Sequence, residues 1–271
     1  MTDRLPTIKI DQPSVVGEYD EGIQTLLQLL WGDGFLSPGG AEEVALLLFG
    51  ESIQGAQVLD IGAGLGAVDQ LLVSVHGAGS VVGIDVDPAL LAQMDVRIAR
   101  AGLTDRIRSQ CVVPGPLPFA DHSFDVVFSK DSLVQIPDKP AIFCEVLRVL
   151  KPGGRFLASD WLRGGEGAYS AEMLEYFRLE GIAYNMASSR ESTAALNGAG
   201  FTQVQIQDRH AWYQTLAEQE LASIAGPLYP LMVARLGREK AEHFVANWRQ
   251  LVLVVQRGEL RPTHLKAVKP W

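Results

Sequence analysis

Gln57-Val58-Leu59-Asp60-Ile61-Gly62-Ala63-Gly64-Leu65-Gly66 is an apolar run that stops at three glycines on alternate positions. Roughly twenty residues later comes Val81-Val82-Gly83-Ile84-Asp85. The first run reads as a buried parallel strand, and its glycines let the turn bring backbone close to a ligand where a Cβ would intrude. The second run reads as another buried strand ending in an acid. An aspartate there accepts hydrogen bonds from both hydroxyls of a ribose, so the pair implies a nucleoside-containing cofactor in an α/β crevice.

The glycine spacing separates two cofactor classes. A dinucleotide fold needs Gly-x-Gly-x-x-Gly, which seats a pyrophosphate on a helix N-terminus. Here the order is Gly62-x-Gly64-x-Gly66, with Asp60 ahead of it. A carboxylate at that position opposes a pyrophosphate and suits a cationic cofactor with an ammonium and a sulfonium, which is S-adenosylmethionine.

Outward from this core, strands at 58–61, 80–84, 108–112, 124–129 and 155–159 alternate with helices at 66–75, 88–101 and 139–150. The alternation predicts a mostly parallel sheet with helices on both faces and a ligand site outside the carboxyl ends of its strands. Residues 1–18 read as a loose arm containing Pro6 and Pro13. Ile23, Leu26, Leu27 and Leu30 place a helix over 19–31, followed by a turn-rich stretch and a short helix over 41–49. Beyond Asp160 the pattern changes. Residues 163–196 read as largely helical, and strands at 203–207 and 264–268 bracket a helical region over 215–253, interrupted by Gly226-Pro227 and Gly237.

The 271 residues suffice for a full core in one domain with a cap, and the net charge of -9 with no clustered basic surface argues against a nucleic-acid partner. Cys111 and Cys144 lack metal or disulfide spacing and read as buried thiols in a reducing cytoplasm. There is no membrane-length apolar run, and the start of the chain lacks a signal-peptide pattern. The expectation is a soluble, cytoplasmic protein, monomer or homodimer, acting on a small molecule without a metal.

Residues 58–160 resemble the class I S-adenosylmethionine-dependent methyltransferases. The resemblance rests on the stretch from Val58 to Gly66, Gly83-Ile84-Asp85, Leu117-Pro118-Phe119, Ser123-Phe124-Asp125-Val126-Val127 and Leu150-Lys151-Pro152-Gly153-Gly154. Tyr19-Asp20-Glu21-Gly22, Phe35-Leu36-Ser37-Pro38-Gly39-Gly40 and the closing Leu265-Lys266-Ala267-Val268-Lys269 are similar to the phosphoethanolamine and related small-amine N-methyltransferases. The fold implied is α/β, Rossmann-like: a mostly parallel seven-stranded sheet with helices on both faces and a helical cap over the carboxyl edge. Three regions follow: 1–50 as an N-terminal arm and helices closing the site, 51–162 as the cofactor core, and 163–271 as the cap insertion with the last strands.

The resemblance implies that Tyr19 closes over cofactor and substrate and that Ser37 touches the methionine carboxylate. Gly62 and Gly64 pack against the methionine portion, Asp85 holds the ribose, and Val86 and Asp87 line the adenosine. Lys130 and Asp131 stand at the strand end facing the methyl group. Where the family has an acid for the adenine amino group, this chain has Val112-Val113-Pro114, so Val113 is assigned by position. Gln135 replaces a family histidine; it orients a substrate through its amide but is no base. The family's phosphate-holding basic positions fall near Ile182 and at Leu251. A buried phosphate would go unpaired there, at a cost of several kcal/mol, which disfavours phosphoethanolamine.

Methyl transfer from a sulfonium needs alignment and a polar environment more than strong acid or base chemistry. An amine acceptor must be unprotonated to attack, and Asp131 is the candidate to orient it or take its proton with Tyr19 nearby. The bland role for Asp131 is a helix cap. Tyr184 and Trp161 are candidate acceptor contacts, Trp161 by packing on an ammonium, with ordinary cap packing as the alternative for each. His210, Trp212 and Tyr213 read as a buried cluster outside the site. Two other readings remain: O-, S- or C-methylation of a natural product, and a non-catalytic binder of S-adenosylmethionine.

Overall fold

The computed structural model describes residues 19–182 and 184–271. The expected arm over 1–18 lies outside the described residues. β1 (Gln57–Ile61), β2 (Ser80–Asp85), β3 (Ile107–Cys111), β4 (Phe124–Lys130), β5 (Leu150–Arg163), β6 (Thr202–Asp208) and β7 (Leu260–Val268) form one seven-stranded sheet. Its order is β3-β2-β1-β4-β5-β7-β6. β1 pairs in parallel with β2 and β4, β2 with β3, and β4 with β5. β7 runs antiparallel to both β5 and β6, so the sheet is mixed rather than parallel throughout. β5 extends well past the expected 155–159, because β7 pairs with it from Arg155↔Val268 to Arg163↔Leu260.

Alternate residues of the central strands feed opposite faces, as the pleat requires. Val58, Val126, Phe128 and Leu157 pack with α2 (Gly40–Leu47), α3 (Ala67–Ser74) and α4 (Pro88–Arg100) on one face. Leu59, Val127, Phe156 and Ala158 meet Phe143, Val146 and Leu196 of α5 (Lys139–Val149) and α7 (Ser189–Ala199) on the other. A third core joins α1 (Glu21–Trp31), α6 (Ala171–Glu180), α8 (His210–Ala225), α9 (Tyr229–Leu236) and α10 (Arg238–Gln256). Val134, just beyond the carboxyl end of β4, belongs to this third core, which places the helical cap at that edge.

Two expectations change. The region 163–196, expected to be largely helical, holds α6 and α7, with α6 starting only at Ala171 and α7 at Ser189. Cys111 and Cys144 are exposed, not buried. Cys111 ends β3, the edge strand, and Cys144 lies beside Phe143 on α5, whose other side faces the sheet. Among the described residues no helix is long and apolar enough to cross a membrane.

Candidate functional site

A cavity of about 800 Å³ opens over the carboxyl ends of β1, β2 and β4, where the strand order reverses direction about β1. The glycine turn forms its floor. Gly62, Gly64 and Gly66 have φ of 83°, 55° and 79°, left-handed values that side chains resist. A Cβ on Gly62 would collide with the Ser132 side chain, so this position also needs glycine for packing.

Asp85 is tied to the turn. Gly64 N–H donates to Asp85 Oδ2 at 2.9 Å, and Asp87 N–H donates to Oδ1 at 3.0 Å. Burial raises the pKa of Asp85 above the usual carboxylate value. Val86 and Val113 line the same cavity, and Val113 stands largely exposed there. Asp87 also caps α4, accepting from Ala89 N–H at 2.8 Å.

Asp60 reaches the cavity from β1 and is buried against Asp69 in the first turn of α3. Among the described residues, Asp60 Oδ1 and both Asp69 oxygens lack a hydrogen-bond partner. Burial, followed by repulsion from Asp69, pushes Asp60 well above the ordinary carboxylate range, and burial raises Asp69 to about 7. The two carboxyls therefore keep a proton between them near neutral pH. The sequence signals Asp60 but not Asp69, whose importance comes from where α3 docks.

At the end of β4, Lys130 Nζ lies 2.7 Å from Asp131 Oδ2 in an ion pair with side-chain exposures of 3% and 6%. The same ammonium donates to Ser37 Oγ at 2.9 Å and Pro38 O at 2.8 Å, fixing the segment after α1 to the strand end. Ser159 Oγ reaches Asp131 Oδ1 at 3.3 Å. Asp131 thus does not cap the following turn; it faces the cavity from a backbone with φ of 57°.

The next residues, including Gln135, are held by a buried polar frame. Lys139 donates to Leu133 O at 2.6 Å, Ile136 O at 2.5 Å and Asn185 O at 2.9 Å. Val134 N–H donates to Asp160 Oδ1 at 2.9 Å, and Asn185 N–H to Val134 O at 2.7 Å. Neither Lys139 nor Asn185 carries a recognisable motif, and sequence reading passes over both.

A second cavity of about 70 Å³ adjoins the first and shares Tyr19, Leu36, Ser37, Asp131 and Gln135 with it. Trp161 and Tyr184 line only this smaller space, together with Ile182 and Leu251. Tyr213, read from sequence as outside the site, is also in its wall and fully buried. Burial holds the Tyr184 and Tyr213 phenols well above their usual pKa, so both stay protonated near neutral pH. Every expected site residue therefore lies on one cavity or the other.

Residues 59–158 match the methyltransferase domain family. A phosphoethanolamine N-methyltransferase of Triticum aestivum is 30% identical over 241 residues, which cover 86% of this chain and 45% of that protein. The chain thus spans about half the length of such curated relatives. Among solved structures, the Haemonchus contortus phosphoethanolamine N-methyltransferase 2 superposes with a TM-score of 0.85 at 24% identity. The match covers 94% of this chain and 59% of that one, which was solved with phosphomonomethylethanolamine and S-adenosylhomocysteine. The geranyl diphosphate C-methyltransferase of Streptomyces coelicolor A3(2) gives 0.68 at 17% identity, covering 84% and 77%. At those identities the two structures share a fold, and the fold serves more than one acceptor. What the likeness establishes is the domain: the chain carries a class I S-adenosylmethionine-dependent methyltransferase domain that resembles the phosphoethanolamine N-methyltransferases.

Proposed function

We propose that the chain binds S-adenosylmethionine in the larger cavity and methylates a small amine without a phosphate in the smaller one. The observation that carries this reading is the wall shared by the two cavities, formed in part by Tyr19, Ser37, Asp131 and Gln135. The larger cavity suits the cofactor. Its glycine turn forms the floor, Asp85 stands ready for the ribose hydroxyls, and Asp60 faces the space from β1. When bound, the cofactor supplies a sulfonium methyl whose carbon is attacked by the acceptor's lone pair while the carbon–sulfur pair returns to sulfur.

The chain's own groups orient and desolvate. Lys130 holds Asp131 and Ser37 together, and Ser37 and Gln135 present polar atoms where the two ligands meet. Asp131 orients the acceptor nitrogen and takes the proton that an ammonium form must lose before attack. Val86 and Val113 flank the adenosine. In the smaller cavity Trp161 and Tyr184 contact the acceptor, and apolar Ile182 and Leu251 offer a phosphate no partner. In this reading residues 1–50 close the site, 51–162 hold the cofactor, and 163–271 supply the acceptor side with the last strands.

Release of S-adenosylhomocysteine, measured across amines, amino acids, phosphoethanolamine, phenols and thiols, tests the assignment. Turnover is expected with a phosphate-free amine. Turnover confined to phosphoethanolamine, or to an oxygen, sulfur or carbon acceptor, would overturn the amine assignment, and binding without any turnover would point to a non-catalytic protein.

A further inference from the structure

The smaller cavity is walled by Trp31, Trp161, Tyr176, Tyr184, Tyr213 and Trp248, contributed by elements far apart in the chain. Trp161 and Tyr213 meet edge to face at 4.8 Å between ring centroids, and the Tyr176 and Tyr184 hydroxyls are 3.1 Å apart. Behind three of these rings lies Glu220, 4% exposed. Trp31 Nε1 donates to it at 2.6 Å, Trp248 Nε1 at 3.1 Å and the Tyr213 hydroxyl at 3.3 Å. Indole and phenol groups that donate to a carboxylate gain electron density in their rings, which strengthens their attraction for a cation.

Glu180, at the end of α6, is a second acid in the cavity wall. Its hydrogen-bonding partners are Asn247, which donates through Nδ2, and Tyr184, both neutral. Burial raises its pKa above the ordinary value. No Lys or Arg lines this cavity among the described residues, and Lys130, which bonds to Ser37, Pro38 and Asp131 in its wall, is engaged by the Asp131 carboxylate. The space admits only a handful of heavy atoms.

We propose that the smaller cavity is a cation-recognition subsite, in which the Glu220-backed rings and Glu180 select a short aliphatic amine that carries no anionic group. The claim rests on the methyltransferase reading above and adds the basis of selection. During transfer, positive charge leaves sulfur and develops on the acceptor nitrogen, next to electron-rich ring faces that favour it as it forms. The same surroundings disfavour a phosphorylated or carboxylated acceptor, which would bring an anion against the half-buried Glu180 and the electron-rich rings.

The test uses the full chain saturated with S-adenosylhomocysteine and titrates it with choline, its neutral isostere 3,3-dimethylbutan-1-ol, and phosphocholine. Tryptophan fluorescence and calorimetry supply the readouts. Choline is expected to bind at least ~10-fold tighter than the neutral isostere, as a desolvated cation–π site permits, and also tighter than phosphocholine. Glu180→Gln is expected to reduce the choline preference several-fold while leaving S-adenosylhomocysteine affinity unchanged, and Trp161→Leu to weaken choline without restoring phosphocholine. Equal binding of choline and the neutral isostere, or tighter binding of phosphocholine, would overturn the proposal. An unchanged preference in Glu180→Gln would remove Glu180 from it. A chain that binds S-adenosylhomocysteine but no cation refutes only the subsite, whereas a chain that does not bind S-adenosylhomocysteine refutes the methyltransferase reading itself.

Discussion

Asp131 occupies a left-handed backbone conformation, φ 57°, which costs a non-glycine residue roughly 1–2 kcal/mol. It persists because Asp131 N–H donates to Ser159 O at 2.7 Å and its carboxylate is gripped by Lys130. Such a residue is placed for its side chain, and Asp131→Asn is expected to slow methyl transfer about 100-fold while changing S-adenosylhomocysteine affinity little. Single-turnover kinetics beside calorimetric titration make the comparison, and equal losses in both would make Asp131 structural. On the neighbouring strand β1 and in α3, the Asp60–Asp69 pair gives a pH signature. Asp69 titrates near 7 in the folded chain and near 3.9 when unfolded, so between those values the folded state holds a proton that the unfolded state has lost. Stability therefore falls as pH rises through about 4 to 7, by up to ~1.4 kcal/mol per unit for each such proton, and levels off above. Buried Asp160, also raised to about 7, acts in the same direction. Urea unfolding at pH 5.5 and pH 8 should show the wild type weaker at pH 8, and Asp69→Asn should shrink the difference.

At the scale of elements, the turn after β4 shows what could and could not be read from sequence. The strand, the glycine turn and Asp85 were legible because each is a local pattern: an apolar run, a spacing, an acid at a strand end. Asp131 and Gln135 were legible through the segment they occupy. The frame beneath them was not, because Lys139, Asp160 and Asn185 become neighbours only after β5 and the residues following α6 fold back. Tyr213 and Glu220 escaped for the same reason, since Trp31 and Glu220 are 189 positions apart. β7 was readable as a strand, yet its reversed direction depends on pairing partners that no local pattern states. The cysteines went wrong because an apolar neighbourhood in sequence does not say which side of a strand or helix a residue takes. The frame itself is testable. Lys139→Met removes the donor for three carbonyls and is expected to destabilise the chain by about 2–4 kcal/mol in urea unfolding, with faster amide exchange across residues 131–136.

Across the whole molecule, α1 and the segment after it form the side of the site that belongs neither to the sheet nor to the late helices. Gln24 Nε2 donates to Tyr19 O at 2.6 Å, Arg97 binds Asp33 at 2.7 Å, and Lys130 binds Ser37, so the N-terminal part is attached to both α4 and β4. Tyr19, Ser37 and Lys130 line the larger cavity, so ligand bound there should stabilise the chain and slow amide exchange in α1. At a hundred times its dissociation constant, S-adenosylhomocysteine is expected to add ~2.7 kcal/mol to unfolding stability. The most direct measurement is calorimetric titration of the full chain with S-adenosylmethionine, alongside Asp85→Ala. The proposed site holds one S-adenosylmethionine per wild-type chain, and removing Asp85, its proposed ribose acceptor and the partner of the Gly64 amide, is expected to cost at least ~10-fold in affinity. No binding by the wild type, or unchanged affinity in Asp85→Ala, would contradict it.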